Sequence, residues 1–149
     1  MTTDRSELAL AEEAGWGELL QLVSSLTPEQ LEEPGYTADG WSVKDLMAHI
    51  AAWLAEATQV FEQIQYHTYR TERRDVDALS RRFYEANKDL PAPVVRAECA
   101  ASRNRMLVEW SALPEVTAEA REWFRESGPE HYAEHLPQLR EWVRSLRSR

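Results

Sequence analysis

Apolar residues recur every three or four positions along four long segments of this sequence, and that spacing constrains the fold more than any other feature. The segments cover residues 4–25, 43–65, 94–113 and the stretch from residue 129 towards the C-terminus. Residues spaced in this way form one apolar face on an α-helix, which is buried against other helices. The alternating pattern of a half-buried strand never extends beyond a few positions. The sequence therefore predicts an all-α protein, built as a four-helix bundle.

Two or three shorter helices are predicted between the long ones. Residues 27–30 (TPEQ) have the form of a capping box with proline at the first helical position, and weaker apolar patterns cover residues 75–88 and 117–126. The connections on either side of the second long helix are too long for a minimal up-and-down bundle, which predicts a crossover connection. A chain of 149 residues is long enough for one hydrophobic core, so we expect a single domain over residues 1–149.

The ends of the helices carry their own signals. Ser42 is a good N-cap for the second long helix, and Asp45 is placed to return the capping hydrogen bond. Pro129 suits the first position of the last helix. Pro137 removes a backbone donor from that helix. It predicts either a kink at this point or one helix that ends near Leu136 and another that begins at Pro137.

The sequence also offers a candidate metal site made of histidines. His131 and His135 are four residues apart, so both project from one face of a helix and can reach the same metal ion. His49 lies in the apolar stripe of the second long helix and is the candidate third ligand. The alternatives are a pair on a solvated helix face, and a buried His49 that hydrogen-bonds a neighbouring helix. His67 is predicted to be a solvated loop residue, because its neighbours show no apolar periodicity.

The net charge and the search for targeting signals restrict the kinds of partner that we expect. The chain has 17 basic and 26 acidic residues and a net charge of −9, whereas nucleic-acid-binding proteins usually carry a basic patch. We therefore expect no nucleic-acid partner. No apolar run is long enough to span a bilayer, and the N-terminus lacks a secretory signal. We expect no membrane partner and a cytoplasmic location, which the single cysteine, Cys99, also favours.

Residues 41–53 (WSVKDLMAHIAAW) resemble the second-helix signature of the DinB-like superfamily of four-helix bundles. That superfamily includes YfiT-type metal hydrolases, the N-terminal domain of mycothiol-dependent maleylpyruvate isomerase and the ClbS-type four-helix proteins. In it, one histidine of the second helix and two histidines spaced four apart in the last helix bind a divalent metal ion. His49, His131 and His135 match this pattern. The resemblance therefore implies a three-histidine metal site.

The resemblance further implies an enzyme that acts on a small-molecule substrate, by hydrolysis or by thiol-dependent isomerase or transferase chemistry. Zinc is the default metal, and three imidazoles also suit nickel, iron or manganese. A low-molecular-weight thiol is the second cofactor that the family implies. Trp53 and Tyr132 lie close to the ligands in sequence and are candidates for the wall of a substrate pocket. No residue stands out as a general base, although Glu98 and Glu109 are candidates.

Two functions other than metal-dependent catalysis are also consistent with the sequence. One is a non-catalytic small-molecule binding or resistance protein, in which the histidines are polar pocket residues. The other is a helical scaffold that works as a homodimer. Six tryptophans are many for a chain of this length, and Trp16, Trp110 or Trp142 are candidates for an interface.

Overall fold

A computed structural model describes residues 2–149, with side chains from Asp4 onward, so residue 1 of the expected domain lies outside the described residues. This range contains seven α-helices and no strand, which confirms the all-α prediction. The helices are α1 (Thr2–Ser24), α2 (Pro28–Leu31), α3 (Val43–Gln65), α4 (Val76–Asn87), α5 (Ala92–Ala112), α6 (Ala118–Ser127) and α7 (Pro129–Arg147). None of the helices found between residues 2 and 149 has the length and hydropathy needed to cross a membrane.

The four long helices form two pairs, with the three short helices around them. α3 packs chiefly against α5, and α1 packs chiefly against α7. α1 and α3 follow each other in sequence as long helices, yet they make few contacts. Residues 25–42 therefore carry the chain from one pair to the other, which confirms the predicted crossover. α6 contacts both α3 and α7, so it covers the seam between the two pairs.

Side-chain caps begin two of the helices where the sequence predicted them. The Ser42 hydroxyl accepts a hydrogen bond from the Asp45 backbone N–H at 3.3 Å, and the Asp45 carboxylate accepts one from the Ser42 N–H at 2.9 Å. Thr27 and Gln30 make the same reciprocal pair at the start of α2. Each pair satisfies two backbone donors that have no partner within the helix, and the cap at Ser42 fixes the first residue of α3.

The last helix runs without interruption through Pro137, so the two-helix alternative is wrong. Proline cannot donate the hydrogen bond that the Ala133 carbonyl would otherwise accept. Ala133 and Pro137 both lie on the exposed side of α7, where water can hydrogen-bond that carbonyl. The loss of one internal hydrogen bond is therefore tolerated, and α7 continues.

The tryptophans proposed for an interface lie mostly inside the protein. Trp110 is 1% exposed and stacks on Phe124, with ring centroids 4.2 Å apart. Trp16 is 8% exposed and packs 6.0 Å from Tyr132 between centroids. The interface prediction is wrong for these two, because their rings are already covered by the chain's own helices. Trp142 is half-buried.

Candidate metal centre

The start of α3 positions His49. Because the Ser42 cap begins this helix at Val43, His49 falls in the second turn. There it is half-buried, at the edge of the apolar stripe. The Trp41 ring lies 5.6 Å from the His49 ring between centroids and stacks on Tyr84 of α4. The Trp41 ring therefore covers one side of the imidazole, and Tyr84 packs behind it.

Packing against α1 orients the two histidines of α7. Tyr132 is fully buried, and its hydroxyl donates a hydrogen bond to Glu12 of α1 at 2.9 Å. This contact holds the Tyr132 side of α7 against α1. His131 and His135 lie on a different face of α7, and their rings are 4.9 and 5.5 Å from that of His49 between centroids.

The three imidazoles thus meet between α3 and α7. The Nε2 atoms of His49 and His131 are 3.0 Å apart, which is also the hydrogen-bond distance to a neighbouring helix that the alternative for His49 predicted, and the ligand nitrogens of all three histidines lie within 4.8 Å of one another. The structure therefore brings together the three histidines that the sequence proposed as ligands. His67 is exposed in the turn after α3, with a φ of 59°.

Burial keeps the three imidazoles uncharged. Removal from water, with a smaller contribution from His135, lowers the pKa of His49 to about 4. Burial, followed by the effects of His49 and His135, lowers the pKa of His131 to about 3. Burial also lowers the pKa of His135. At neutral pH each ring therefore offers a lone pair on one nitrogen, which is the form of imidazole that binds a metal ion.

An unpartnered nitrogen indicates that this donor set fits a divalent metal ion. Nε2 of His135 is buried and has no hydrogen-bond partner among the described residues. Two nitrogens that bind one tetrahedral zinc ion lie about 3.4 Å apart, close to the 3.0 Å between His49 and His131. An ion shared by the three rings would give His135 the partner that no residue provides.

A cavity of about 580 Å³ opens beside the histidines and is large enough for a small molecule. Its walls come from α3, α4, α6, α7 and the segment that joins α3 to α4. Trp53, one turn after His49, lines it, and its indole N–H donates to the Ser80 hydroxyl at 3.3 Å. The Trp123 indole N–H donates to the Tyr69 hydroxyl at 3.4 Å across the same space.

Several candidate residues lie elsewhere. Tyr132 does not line the cavity, since it faces Glu12, which also accepts two hydrogen bonds from Arg103 at 2.8 and 2.7 Å. Burial, with Glu12 as the next cause, raises the pKa of Tyr132, so its hydroxyl stays protonated. Glu98 and Glu109, the candidate bases, lie on α5 and do not line the cavity either. The network around Glu12 instead links α1, α5 and α7.

Sequence reasoning missed the cavity residues of α6. Glu122, Trp123 and Glu126 line the cavity. Burial raises the pKa of Glu126, and the negative charges of Glu122 and Glu130 add to this effect. The spacing of Glu122 and Glu126 places them on one helix face. Which face of α6 meets the histidines depends on how that short helix packs, and no local pattern records it.

Comparisons with known proteins bear on the fold and its family. The family model of the mycothiol maleylpyruvate isomerase N-terminal domain matches residues 13–143. The crystal structure of an uncharacterised protein from Escherichia coli UTI89 is 16% identical with a TM-score of 0.80, covering 96% of this chain and 94% of that one. The crystal structure of the colibactin self-resistance protein ClbS in complex with a dsDNA is 15% identical with a TM-score of 0.79, covering 93% and 94%. No curated protein matches this chain.

The ClbS structure corrects one expectation. We excluded a nucleic-acid partner because of the net charge of −9, but the ClbS structure contains double-stranded DNA bound to a protein of this fold. The exclusion was wrong, because net charge averages the whole surface whereas DNA contact depends on local groups. The arginines of this chain are in fact unevenly placed. Four exposed ones lie close together in sequence, namely Arg70, Arg73, Arg81 and Arg82.

Proposed function

The chain belongs to the mycothiol maleylpyruvate isomerase N-terminal domain family, and from this premise we propose that it is a metal-dependent enzyme acting on a small molecule. His49, His131 and His135 would hold a divalent ion, with zinc as the first candidate and nickel, iron and manganese as the others. The supporting observation is the convergence of three imidazoles whose ligand nitrogens lie within 4.8 Å of one another, with His135 Nε2 lacking any partner in the described chain. The substrate would occupy the adjoining cavity.

The chain's own residues would perform three tasks in this site. The histidines would hold the ion and leave positions on its cavity side open. Trp41 covers one side of His49, and Trp53 and Trp123 wall the cavity, so these rings would limit access of water. The ion would supply Lewis acidity, which lowers the pKa of a water molecule or thiol that it binds. Hydrolysis and thiol-dependent transfer or isomerisation are the two reaction classes that this chemistry serves.

Metal analysis of the purified protein tests the proposed site. We expect about one divalent ion per chain, with zinc affinity measured by competition against a chromophoric chelator. Removal of one ligand in His49→Ala or His135→Ala should weaken zinc binding by more than about 100-fold, since even the groups that orient metal ligands contribute 10–100-fold. His67→Ala is the matched control, because it removes the one histidine outside the cluster. A chain without stoichiometric metal at neutral pH, or an unaffected His49→Ala variant, contradicts the proposal.

A cobalt(II)-substituted protein tests whether a thiol is used. A thiolate that binds cobalt produces an intense near-ultraviolet absorption band, whereas an oxygen ligand does not. We expect this band when 2-mercaptoethanol is added to the wild-type protein and no band when it is added to His135→Ala. If the wild-type protein shows no band, thiol-dependent chemistry is contradicted and hydrolysis is favoured.

A second candidate function is a resistance protein that binds without catalysis. It is favoured by the similarity of fold to ClbS, which is described as a self-resistance protein in complex with dsDNA. Fluorescence anisotropy with a labelled DNA duplex tests the DNA part of this alternative. Binding that weakens steeply with salt and is reduced in Arg73→Ala and Arg81→Ala, but unchanged in Arg144→Ala, would support it. Ligand-dependent thermal stabilisation that does not require metal would support the small-molecule part.

A further inference from the structure

The groups around the cavity are predominantly negative. One guanidinium, that of Arg74, lines the cavity, and its Nε lies 3.8 Å from a carboxylate oxygen of Glu56. The histidines are uncharged, as their lowered pKa values indicate. The carboxylates in the lining are those of Glu72, Asp77, Glu122, Glu126 and Glu134. These five carboxylates are exposed, and none of them forms an ion pair with any side chain described in the structure, although the Arg125 charge acts on Glu126.

Aromatic rings provide a second, independent feature of the same cavity. Trp53 and Trp123 lie 6.5 Å apart between ring centroids. The guanidinium carbon of Arg74 lies 4.7 Å from the centroid of the Trp123 ring, which is cation–π geometry. The Arg74 guanidinium is thus an organic cation that lies against the Trp123 ring in this structure. His131, which is 8% exposed, lines the same cavity beside these rings.

We infer that this cavity binds a small organic cation, an amine or amidine compound, with its charge among the carboxylates and its apolar part against Trp53 and Trp123. The inference specifies the substrate class of the proposed function. It rests on that proposal only in treating the ligand of this cavity as a substrate. A divalent ion on the histidines would reduce the negative charge without cancelling it, because five carboxylates face one guanidinium. Anionic compounds of the same size would be repelled by these carboxylates.

Arg74 would then compete with the ligand for the Trp123 ring. Its guanidinium covers part of the aromatic wall and carries the same charge as the inferred ligand. Its removal in Arg74→Ala would expose the Trp123 ring and make the cavity more negative. The variant should therefore bind an organic cation more tightly. An anchor for anionic substrates would behave in the opposite way, since its loss would weaken the binding of anions.

Three probes of one size and different charge test the inference: benzamidinium, benzamide and benzoate. Calorimetric titration of the metal-free protein avoids direct binding of benzoate to an ion. We expect benzamidinium to bind about tenfold more tightly than benzamide, and benzoate to bind most weakly. Repeating the titration with zinc-loaded protein should preserve that order for benzamidinium and benzamide. Equal affinities for these two, tighter binding of benzoate to the metal-free protein, or no binding of benzamidinium at millimolar concentration would overturn the inference.

Variants connect the binding to this cavity. Asp77→Asn combined with Glu122→Gln should weaken benzamidinium binding several-fold and leave benzamide unchanged, whereas Glu13→Gln, an exposed acid outside the cavity, should change neither. Arg74→Ala should strengthen benzamidinium binding, and weaker binding in a variant with an unchanged circular dichroism spectrum would contradict the inference.

Zinc binding is measured separately. A protein that binds zinc but does not prefer the cation overturns only this inference, and one that prefers the cation but binds no zinc overturns only the metal site.

Discussion

Buried polar groups in this protein are of two kinds, and the difference is visible residue by residue. Glu12 is fully buried, but its two oxygens accept hydrogen bonds from Arg103 and Tyr132. Nε2 of His135 is buried and lacks such a partner among the described residues, as do the Tyr36 hydroxyl and the Trp110 indole N–H. An unsatisfied buried group costs about 1–3 kcal/mol of folding free energy. A metal ion bound by the three histidines would remove this cost at His135, whereas no ligand is proposed for the buried indole of Trp110.

The pKa values of the histidines predict how the stability of the metal-free protein depends on pH. The pKa of His49 falls from 6.5 in the unfolded chain to about 4 in the folded protein, so the unfolded chain binds more protons in that window. The free energy of unfolding should therefore decrease as the pH falls through it. Between pH 7 and pH 5 a buried histidine of this kind contributes a decrease of about 2 kcal/mol. Urea unfolding in the presence of a chelator measures the change.

The matched variants isolate the histidine from other titrating groups. His49→Gln keeps a neutral polar side chain and removes the titration, so its stability should decrease less between pH 7 and pH 5 than that of the wild-type protein. His67→Gln changes an exposed loop histidine and should leave the pH dependence as it is. Identical pH dependence in His49→Gln and the wild-type protein would show that His49 is not held uncharged.

At the scale of elements, the close contact between α1 and α7 decides where the histidines of α7 point. A Cβ atom added to Gly15 of α1 would lie 2.9 Å from Cδ2 of Tyr132, closer than real Cβ contacts allow. Tyr132 is fully buried and has no free space to move into. Gly15 therefore permits the approach of the two helices, and Gly17, with nothing within 4 Å of its added Cβ, does not serve this purpose.

The two glycines make a matched pair for an experiment. Gly15→Ala should destabilise the protein by about 1–3 kcal/mol through overpacking, despite the better helix propensity of alanine. Gly17→Ala should stabilise it by about 0.5–1 kcal/mol, because only the propensity term applies. Denaturant unfolding of both variants measures the contrast. Gly15→Ala should also weaken zinc binding, since a displaced Tyr132 would shift His131. Equal stabilisation by the two substitutions would contradict this account of the contact.

Helix bounds are predicted well where they depend on residues close together in sequence. The bounds of α3 were predicted as found, because a capping box fixes its start. α5 begins at Ala92, two residues earlier than predicted, because Pro93 is compatible with the first turn and does not break the helix. The effect of Pro137 could not be predicted, since it depends on whether the Ala133 carbonyl reaches water. That exposure is set by the packing of α7, which the neighbouring sequence does not specify.

For the whole molecule, the histidine cluster lies at the seam between the α3–α5 pair and the α1–α7 pair. The sequence could propose the three histidines because their spacing and the signature at residues 41–53 are local features. It could not provide the cavity, whose walls include Trp123 and Glu126 of α6. These residues reach the histidines only because α6 covers the seam, and that arrangement involves helices far apart in sequence. Tyr132 was assigned to the pocket for a related reason, since its sequence neighbour His131 faces another element.

The position of the cluster predicts that metal binding stabilises the assembly of the two pairs. One ion bound by His49 of α3 and by His131 and His135 of α7 would join helices that otherwise make few direct contacts. A ligand that binds only the folded state raises its stability by about 2.7 kcal/mol at a concentration of 100 times its Kd. Zinc should therefore raise the melting temperature of the wild-type and His67→Ala proteins and have no effect on His49→Ala. Hydrogen exchange should slow most in α3 and the first turns of α7, where the ion is held. Equal protection of all helices, or equal stabilisation of His49→Ala, would mean that zinc binds elsewhere on the acidic surface and not across the seam.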